Sequence, residues 1–401
     1  MSHFAVLVVT KTPEDLDAVL QKYHEFECTG IDDEYVQDVD VTEEYRKAYE
    51  TQTETVWFDA EGGQHQPYDT QFYRDPTPAE QREHRFNERG RIHGHGGNGK
   101  ISWSGIDKGD GRGYRTYVHM KVEELPGWHA EELPISARMS FADFADYWGN
   151  KALVTSESEI NLGTTKSRGD ENAPHKYGYC LALPDGSVKV VRRTNPDARW
   201  DWWVIGGRYR DKLITKSGAS VDQARKSDLD WEAMKDYVRG IRLAAVREYY
   251  AGIRAKRRLS LTDGDITLLW QDFVRRNDER RAAWESLPEG TADNPRPNIW
   301  DYLDQDPIMK EYTEIGVREM AYGWGWTIPL SEADPMVWCE NAPPLTALAY
   351  LDADGWAEKG AMGWWGVIHD EMDDTVWEKM FNERVASIPD DCVLTIVDCH
   401  I

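Results

Sequence analysis

The sequence predicts an α+β protein whose core is a ferredoxin-like sheet built from both chain ends, with a large inserted β-meander and helical region. Three observations predict it. Apolar, β-branched runs stand at both ends, HFAVLVV at His3 to Val9 and VLTIVDCHI at Val393 to Ile401. A helix signal follows the first run, and a strand and a helix precede the last, which gives a β-α start and a β-α-β finish.

Each element has a local reason. After the first run, Thr12 can cap, Pro13 suits the first helical position, and Glu14 and Asp15 favour the positive helix end, so a helix is expected from Pro13 to about Tyr23. Thr77, Pro78 and Glu80 set up a capping box for a helix over Thr77 to Arg89, which ends in the glycine-rich GRIHGHGGNGK. Ser140 caps a short helix in MSFADFADYWG, Met139 to Gly149. From His175 to Lys216 the chain reads as a meander: HKYGYCLAL, the turn PDG, SVKVVRRT, the turn NPDA, and RWDWWVI before a glycine pair. Helices follow over Ser227 to Leu259 and Asp265 to Trp284, the first with an apolar stripe at Val238, Ile241, Ala245 and Tyr249. PEGTADNPRPN at Pro288 to Asn298 is a loop and the clearest internal boundary. GWWGVIHD at Gly363 to Asp370 is a strand, and DDTVWEKMFNERVASI an amphipathic helix leading to the closing strand.

These elements suggest a discontinuous terminal core, residues 1–40 and 320–401, around an irregular and meander region (41–217), a helical region (218–300) and a connection (301–319). At about 150 residues per domain, 401 residues suit two or three domains. With 18 Trp, 19 Tyr and 9 Phe the chain is too aromatic for a disordered one. The sequence offers neither a run of about 18 apolar residues nor a signal peptide, so the expectation is a soluble protein of the cytoplasm. Cys28, Cys180, Cys339, Cys392 and Cys399 are scattered and odd in number, the pattern of buried thiols.

The net charge of −25 is unevenly placed. Glu25 to Glu61 holds 13 acids against Arg46 and Lys47, and Glu332 to Asp391 holds 14 against Lys359, Lys379 and Arg384. Lys235 to Arg258 holds eight bases and two acids, so pairing of this basic helix with acidic sequence from the ends is expected. An acidic surface repels phosphates, which disfavours direct nucleic-acid binding.

MSHFAVLVV, HEFECTG at His24 to Gly30, HKYGY at His175 to Tyr179, RRTNPDARWDWWVIGGRYR at Arg192 to Arg210, VDQARKSDLD at Val221 to Asp230 and the closing LTIVDCHI together resemble an uncharacterised bacteriophage protein family. The resemblance spans both ends and the centre. It implies an accessory phage product made in the host bacterial cytoplasm, and no activity or catalytic residue comes with it.

The candidate ligand-binding residues are Arg193, Asn195, Trp200, Trp202, Gly206, Gly207 and Arg208. Alternation places Trp200, Trp202 and Val204 on one strand face and Asp201, Trp203 and Ile205 on the other. An indole stacks on a base, arginine forks with a phosphate or carboxylate, and the glycines permit close backbone approach, so the set suits a nucleotide-like or anionic ligand. The alternative is a two-sided buried strand with salt-bridged arginines. A second set forms if the terminal strands pair: His3, Asp398, Cys399 and His400, with His24 and Cys28 nearby, carry groups used for metal ligation or acid-base work. Alternation sends Cys399 and His400 to opposite faces. His93 and His95 sit in a glycine-rich loop without the GKS or GKT of a P-loop. Three functions are therefore open: binding of an anionic ligand in host takeover or counter-defence, inhibition of a host nucleic-acid enzyme by an acidic DNA mimic, and metal-assisted or acid-base catalysis.

Overall fold

The computed structural model describes residues 2–78, 102–106, 115–163, 173–257, 260–289, 296–322, 327–362 and 368–401. It is a mixed helix and sheet structure in two units, Met1–Ile31 with Asn195–Ile401, and Asp32–Thr194. Most of the expected helix at Thr77 to Arg89, the pair His93 and His95, and parts of the Pro288 to Asn298 loop and the Gly363 to Asp370 strand lie outside the described residues.

In the first unit, the strand His3–Thr10 pairs antiparallel with the closing strand Val393–His400 along its whole length, His3 opposite His400 and Thr10 opposite Val393. All eight residues of the closing strand are buried. A strand covered on both faces needs apolar residues on both, which is why its sequence reads as a run rather than as an alternation. Ala349–Asp352 joins the other side of the first strand in parallel and turns back into Gly355–Glu358. The outer edge of the closing strand takes Trp202–Ile205 and Gln223–Arg225, completing six strands.

The strand order differs from the ferredoxin-like expectation. A ferredoxin-like split β-α-β sets another strand between the two it connects, whereas here His3–Thr10 and Ala349–Asp352 pair directly. A parallel neighbour requires only a long crossover, which the intervening chain supplies, and apolar runs do not encode strand order. The helices are also divided between the faces. Leu16 and Leu20 of helix Leu16–Gln21 pack with Phe4, Val6, Val8, Val397 and Cys399 on one face. Trp377, Phe381 and Val385 of helix Asp374–Ser387 pack with Ala5, Leu7, Leu394 and Ile396 on the other. Their four-residue spacing makes one apolar stripe, and Asp373 caps the helix by accepting from the backbone N–H groups of Thr375 and Val376.

Helices Trp231–Arg257 and Asp263–Glu285 close a further core of the same unit around Tyr250, Trp270, Phe273 and Tyr312. The buried line of the first runs through Met234, Arg242, Val246, Tyr250 and Ile253, one residue off the expected stripe. The offset exists because Arg242 is a core residue: its guanidinium lies 4.2 Å from the Trp338 ring centroid and pairs with Glu378. Arg239 reaches Glu340, so the basic helix does pair with the acidic C-terminal region.

In the second unit, Gln37–Asp40, Val188–Thr194, Gly178–Ala182 and Leu153–Val154 form one sheet in that order. Helices Thr42–Thr51 and Phe141–Gly149 contribute Tyr45, Phe144 and Ala145 to its core, and Ser140 caps the second as its sequence predicts. Gly178–Ala182 and Val188–Thr194 are the expected hairpin. The expected third meander strand is elsewhere: Trp202–Ile205 pairs with the closing strand of the other unit's sheet. The turn after Thr194 redirects the chain because Asn195, 3% exposed, donates through its side-chain amide to the carbonyls of Lys22 and His24. Among the described residues, no helix is long and apolar enough to cross a membrane.

One partly exposed carboxylate network gives a test of the helical packing. Burial would raise the Asp272 carboxyl, but hydrogen bonds from Tyr312, Arg276 and Arg275 outweigh it and bring it down to about 2. A depressed carboxylate stabilises the fold above its unfolded pKa of about 3.9 and loses that contribution as pH falls through its folded value. Asp272→Asn is expected to cost about 1–2 kcal/mol at pH 7, a figure reduced for partial exposure, in urea denaturation. The gap between variant and wild type should narrow from pH 4 to pH 2; a constant gap contradicts the assignment.

Candidate functional site

Strand alternation places His3 and Ala5 of the first strand, and Asp398 and His400 of the closing strand, on one face of the sheet. His3 Nδ1 lies 2.9 Å from Asp398 Oδ1, and the Asp398 side chain is 2% exposed. Asp398 Oδ2 accepts from the backbone N–H of Arg208 at 2.9 Å. The next residue, Tyr209, donates its hydroxyl to the His3 carbonyl at 2.8 Å. The Gly206–Gly207 turn makes this approach possible. Gly207 has φ +51°, and a Cβ there would overlap the Asp398 carboxylate. Thus the backbone donor that could receive an external anion is filled by the protein's own buried carboxylate.

A second imidazole-carboxylate pair lies beside the first. His400 Nδ1 is 2.6 Å from Asp201 Oδ1, and the Trp202 ring stacks on His400 at 5.0 Å and 16°. His3 meets both rings edge-on, 5.2 Å from Trp202 and 5.0 Å from His400. A carboxylate on Nδ1 holds the proton there, so in each neutral imidazole Nε2 is the acceptor.

The structure separates the other expected ligand residues. Arg193 lies in the second unit and is paired with Asp32 at 2.7 Å and Asp38 at 3.0 Å. Asn195 holds the turn described above. Trp200 is buried, donates its indole N–H to the Leu20 carbonyl at 3.0 Å, and packs in the same cluster as Trp203, on the face opposite Trp202. Alternation starts only at Trp202, because Trp200 precedes the strand and bridges to His24. Of the terminal set, Cys399 lies on the far face with its thiol pushed up by burial, and His24 is fully buried with Nδ1 2.8 Å from Thr29 Oγ1. Trp202, Gly207 and Arg208 from one expected set and His3, Asp398 and His400 from the other therefore form one cluster. Among the described residues, no group of three or more His, Cys, Asp and Glu side chains is placed to hold a metal ion.

His3 also borders a cleft of about 450 Å³ in the same unit, within the range of roughly 300–1,000 Å³ usual for small-molecule sites. Trp338 and Trp377 contribute apolar wall. Its cations are Arg242, Lys359 and Lys212. Arg242 pairs with Glu378, whose carboxyl burial pushes up against the pull of the arginine. Lys359 Nζ lies 2.5 Å from both Glu371 and Asp374. Lys212 differs. Half-buried, it has no ion pair among the described residues; its Nζ is 5.2 Å from the Tyr209 ring centroid, and burial pushes its pKa down.

Tyr209 and Lys212 follow the GGR segment at which the expected ligand set ends, and no local pattern marks them. Arg242, Lys359 and Glu378 reach the cleft from distant parts of the chain. The chain matches no protein family model, no curated protein and no solved structure.

The glycine turn can be tested against an internal control. Gly218 has φ +82° and open space within 4 Å of the point where a methyl would sit, so Gly218→Ala measures the left-handed backbone cost alone, about 1–2 kcal/mol. Gly207→Ala adds the clash with Asp398 and is expected to cost about 3–4 kcal/mol in urea denaturation. Equal losses for the two variants rule out a tight contact between this turn and Asp398.

Proposed function

We propose that the protein is a binding module for a small anionic, nucleotide-like or related ligand, seated in the cleft with its charge against Lys212. The observation that carries this reading is the half-buried, unpaired lysine in a cleft whose other cations are matched. An ammonium held out of water without a carboxylate is disfavoured, and a bound anion restores the lost interaction. The ligand class is the one expected from the sequence, but the site moves from Trp200 and Arg193 to the cleft beside His3. Its setting, from the phage resemblance, is an accessory protein of the host cytoplasm acting in host takeover or counter-defence.

Acidic DNA mimicry has less support, because many of the acids needed for it are engaged internally. Asp352 and Asp354 hold Arg384, Glu371 and Asp374 hold Lys359, and Glu44 holds Arg192. Acid-base catalysis is favoured by one observation, the Asp398-oriented imidazole of His3 at the cleft. On that reading a bound ligand is converted, and mass spectrometry after incubation shows product; unchanged ligand excludes it.

Calorimetric titration with nucleotides, sugar phosphates and dicarboxylates tests the main reading. Lys212→Met is expected to weaken binding at least tenfold, about 1.4 kcal/mol, without loss of thermal stability, whereas Arg208→Ala, outside the cleft lining, leaves it unchanged. Because burial lowers the Lys212 pKa, affinity should decline with rising pH earlier than for an ordinary lysine. Absence of binding across the panel, or binding indifferent to Lys212→Met, rules the reading out.

A further inference from the structure

We infer that the ligand of this cleft carries a hydroxyl group beside its anionic group, and that His3 reads that hydroxyl through Nε2; the inference rests on the anion reading above. The reason is which polar groups are left over. Arg242 is occupied by Glu378 and by the Trp338 carbonyl at 3.1 Å, Lys359 by Glu371 and Asp374, and the Tyr209 hydroxyl by the His3 carbonyl. Of the charged, phenolic and imidazole side chains lining the cleft, Lys212 and the Nε2 edge of His3 lack a hydrogen-bond or ionic partner among the described residues; the Trp338 indole N–H and Arg242 Nε are also unpaired, but both are donors, so Nε2 is the acceptor of the set. One offers a cationic donor and the other an acceptor.

The two are fixed against the same phenol. Tyr209 binds the His3 backbone through its hydroxyl, while its ring lies under the Lys212 ammonium at 5.2 Å. His3 is pre-oriented as well. Asp398 holds its Nδ1, the Arg208 N–H holds Asp398, and the rings of Trp202 and His400 pack against the imidazole. An acceptor at the cleft wall that cannot turn discriminates against a ligand with nothing to donate.

The donor that suits this acceptor is neutral. An ammonium on the ligand would face Lys212, Arg242 and Lys359, which outnumber the lining acids Asp374 and Glu378. A hydroxyl carries no such penalty. The ligand class is accordingly the hydroxylated anions: sugar and polyol phosphates, ribonucleotides and hydroxy acids.

The test compares ribose 5-phosphate with tetrahydrofurfuryl phosphate, the same ring and phosphate without the hydroxyls, by calorimetry at pH 8 on the full chain. Ribose 5-phosphate is expected to bind about tenfold more tightly, the difference for one hydrogen bond to an oriented acceptor. His3→Phe should bring the two affinities within twofold by weakening only the sugar phosphate. His3→Gln, which retains an acceptor, should keep part of the preference, and Lys212→Met should weaken both ligands alike. Equal binding of the two ligands by the wild type, or a preference that survives His3→Phe, overturns the hydroxyl inference and leaves the anion site standing. Binding of neither ligand overturns the hydroxyl inference, and the anion reading falls with it if the nucleotides and dicarboxylates of the wider panel also fail to bind.

Discussion

The antiparallel pairing of the first and last strands is the constraint on which the first unit depends. Every other strand of its sheet is attached through one of these two, Ala349–Asp352 to the first and Trp202–Ile205 and Gln223–Arg225 to the last. Joining segments so far apart costs about 5 kcal/mol in loop-closure entropy, which burial of Leu394, Ile396 and Val397 at about 1.5–3 kcal/mol each offsets. Register follows from the same pairing. A slip of one residue would carry His3 to the face packed by helix Leu16–Gln21 and bring Phe4 to the cleft side.

Charge is organised around that frame. The basic helix and the acidic C-terminal stretch, separate in sequence, meet in the pairs Arg242 with Glu378 and Arg239 with Glu340, and within the acidic stretch Arg384 pairs with Asp352 and Asp354. The Arg239–Glu340 pair is exposed and contributes little, but Arg242 is 1% exposed and sits where an apolar residue would continue the helix stripe. Removing Glu378 alone would leave a buried guanidinium without its carboxylate, a far larger penalty than the pair's net contribution to stability.

The cluster at the chain ends shows how a turn suited to anions can serve the protein itself. Gly207 and the Arg208 N–H receive Asp398, and Asp398 in turn holds His3, so the glycine pair acts on the cleft indirectly, by fixing an imidazole. The unmatched charge lies four residues further on, at Lys212. In the proposed site the fixed imidazole and the unpaired ammonium are the two recognition elements; Arg208 and Trp202 act on the first only by holding it in place, and Arg193 and Trp200 lie elsewhere.

Local chemistry in the sequence determined the elements themselves. The apolar runs His3–Val9 and Val393–Ile401 are strands because no solvent-facing alternation interrupts them, and Ser140 and Asp373 start helices because their side chains accept orphan N–H groups. The sequence also placed His3, Asp398 and His400 together once the ends were taken to pair. Tertiary structure decided strand order, the division of helices between the two faces, and the departure of Trp202–Ile205 from the meander, because a strand's hydrogen bonds accept any neighbour that its side chains allow. It also decided which charges are matched. Lys212, Lys359 and Arg242 look alike as residues in a sequence; only packing puts carboxylates beside two of them and leaves the third facing a cleft.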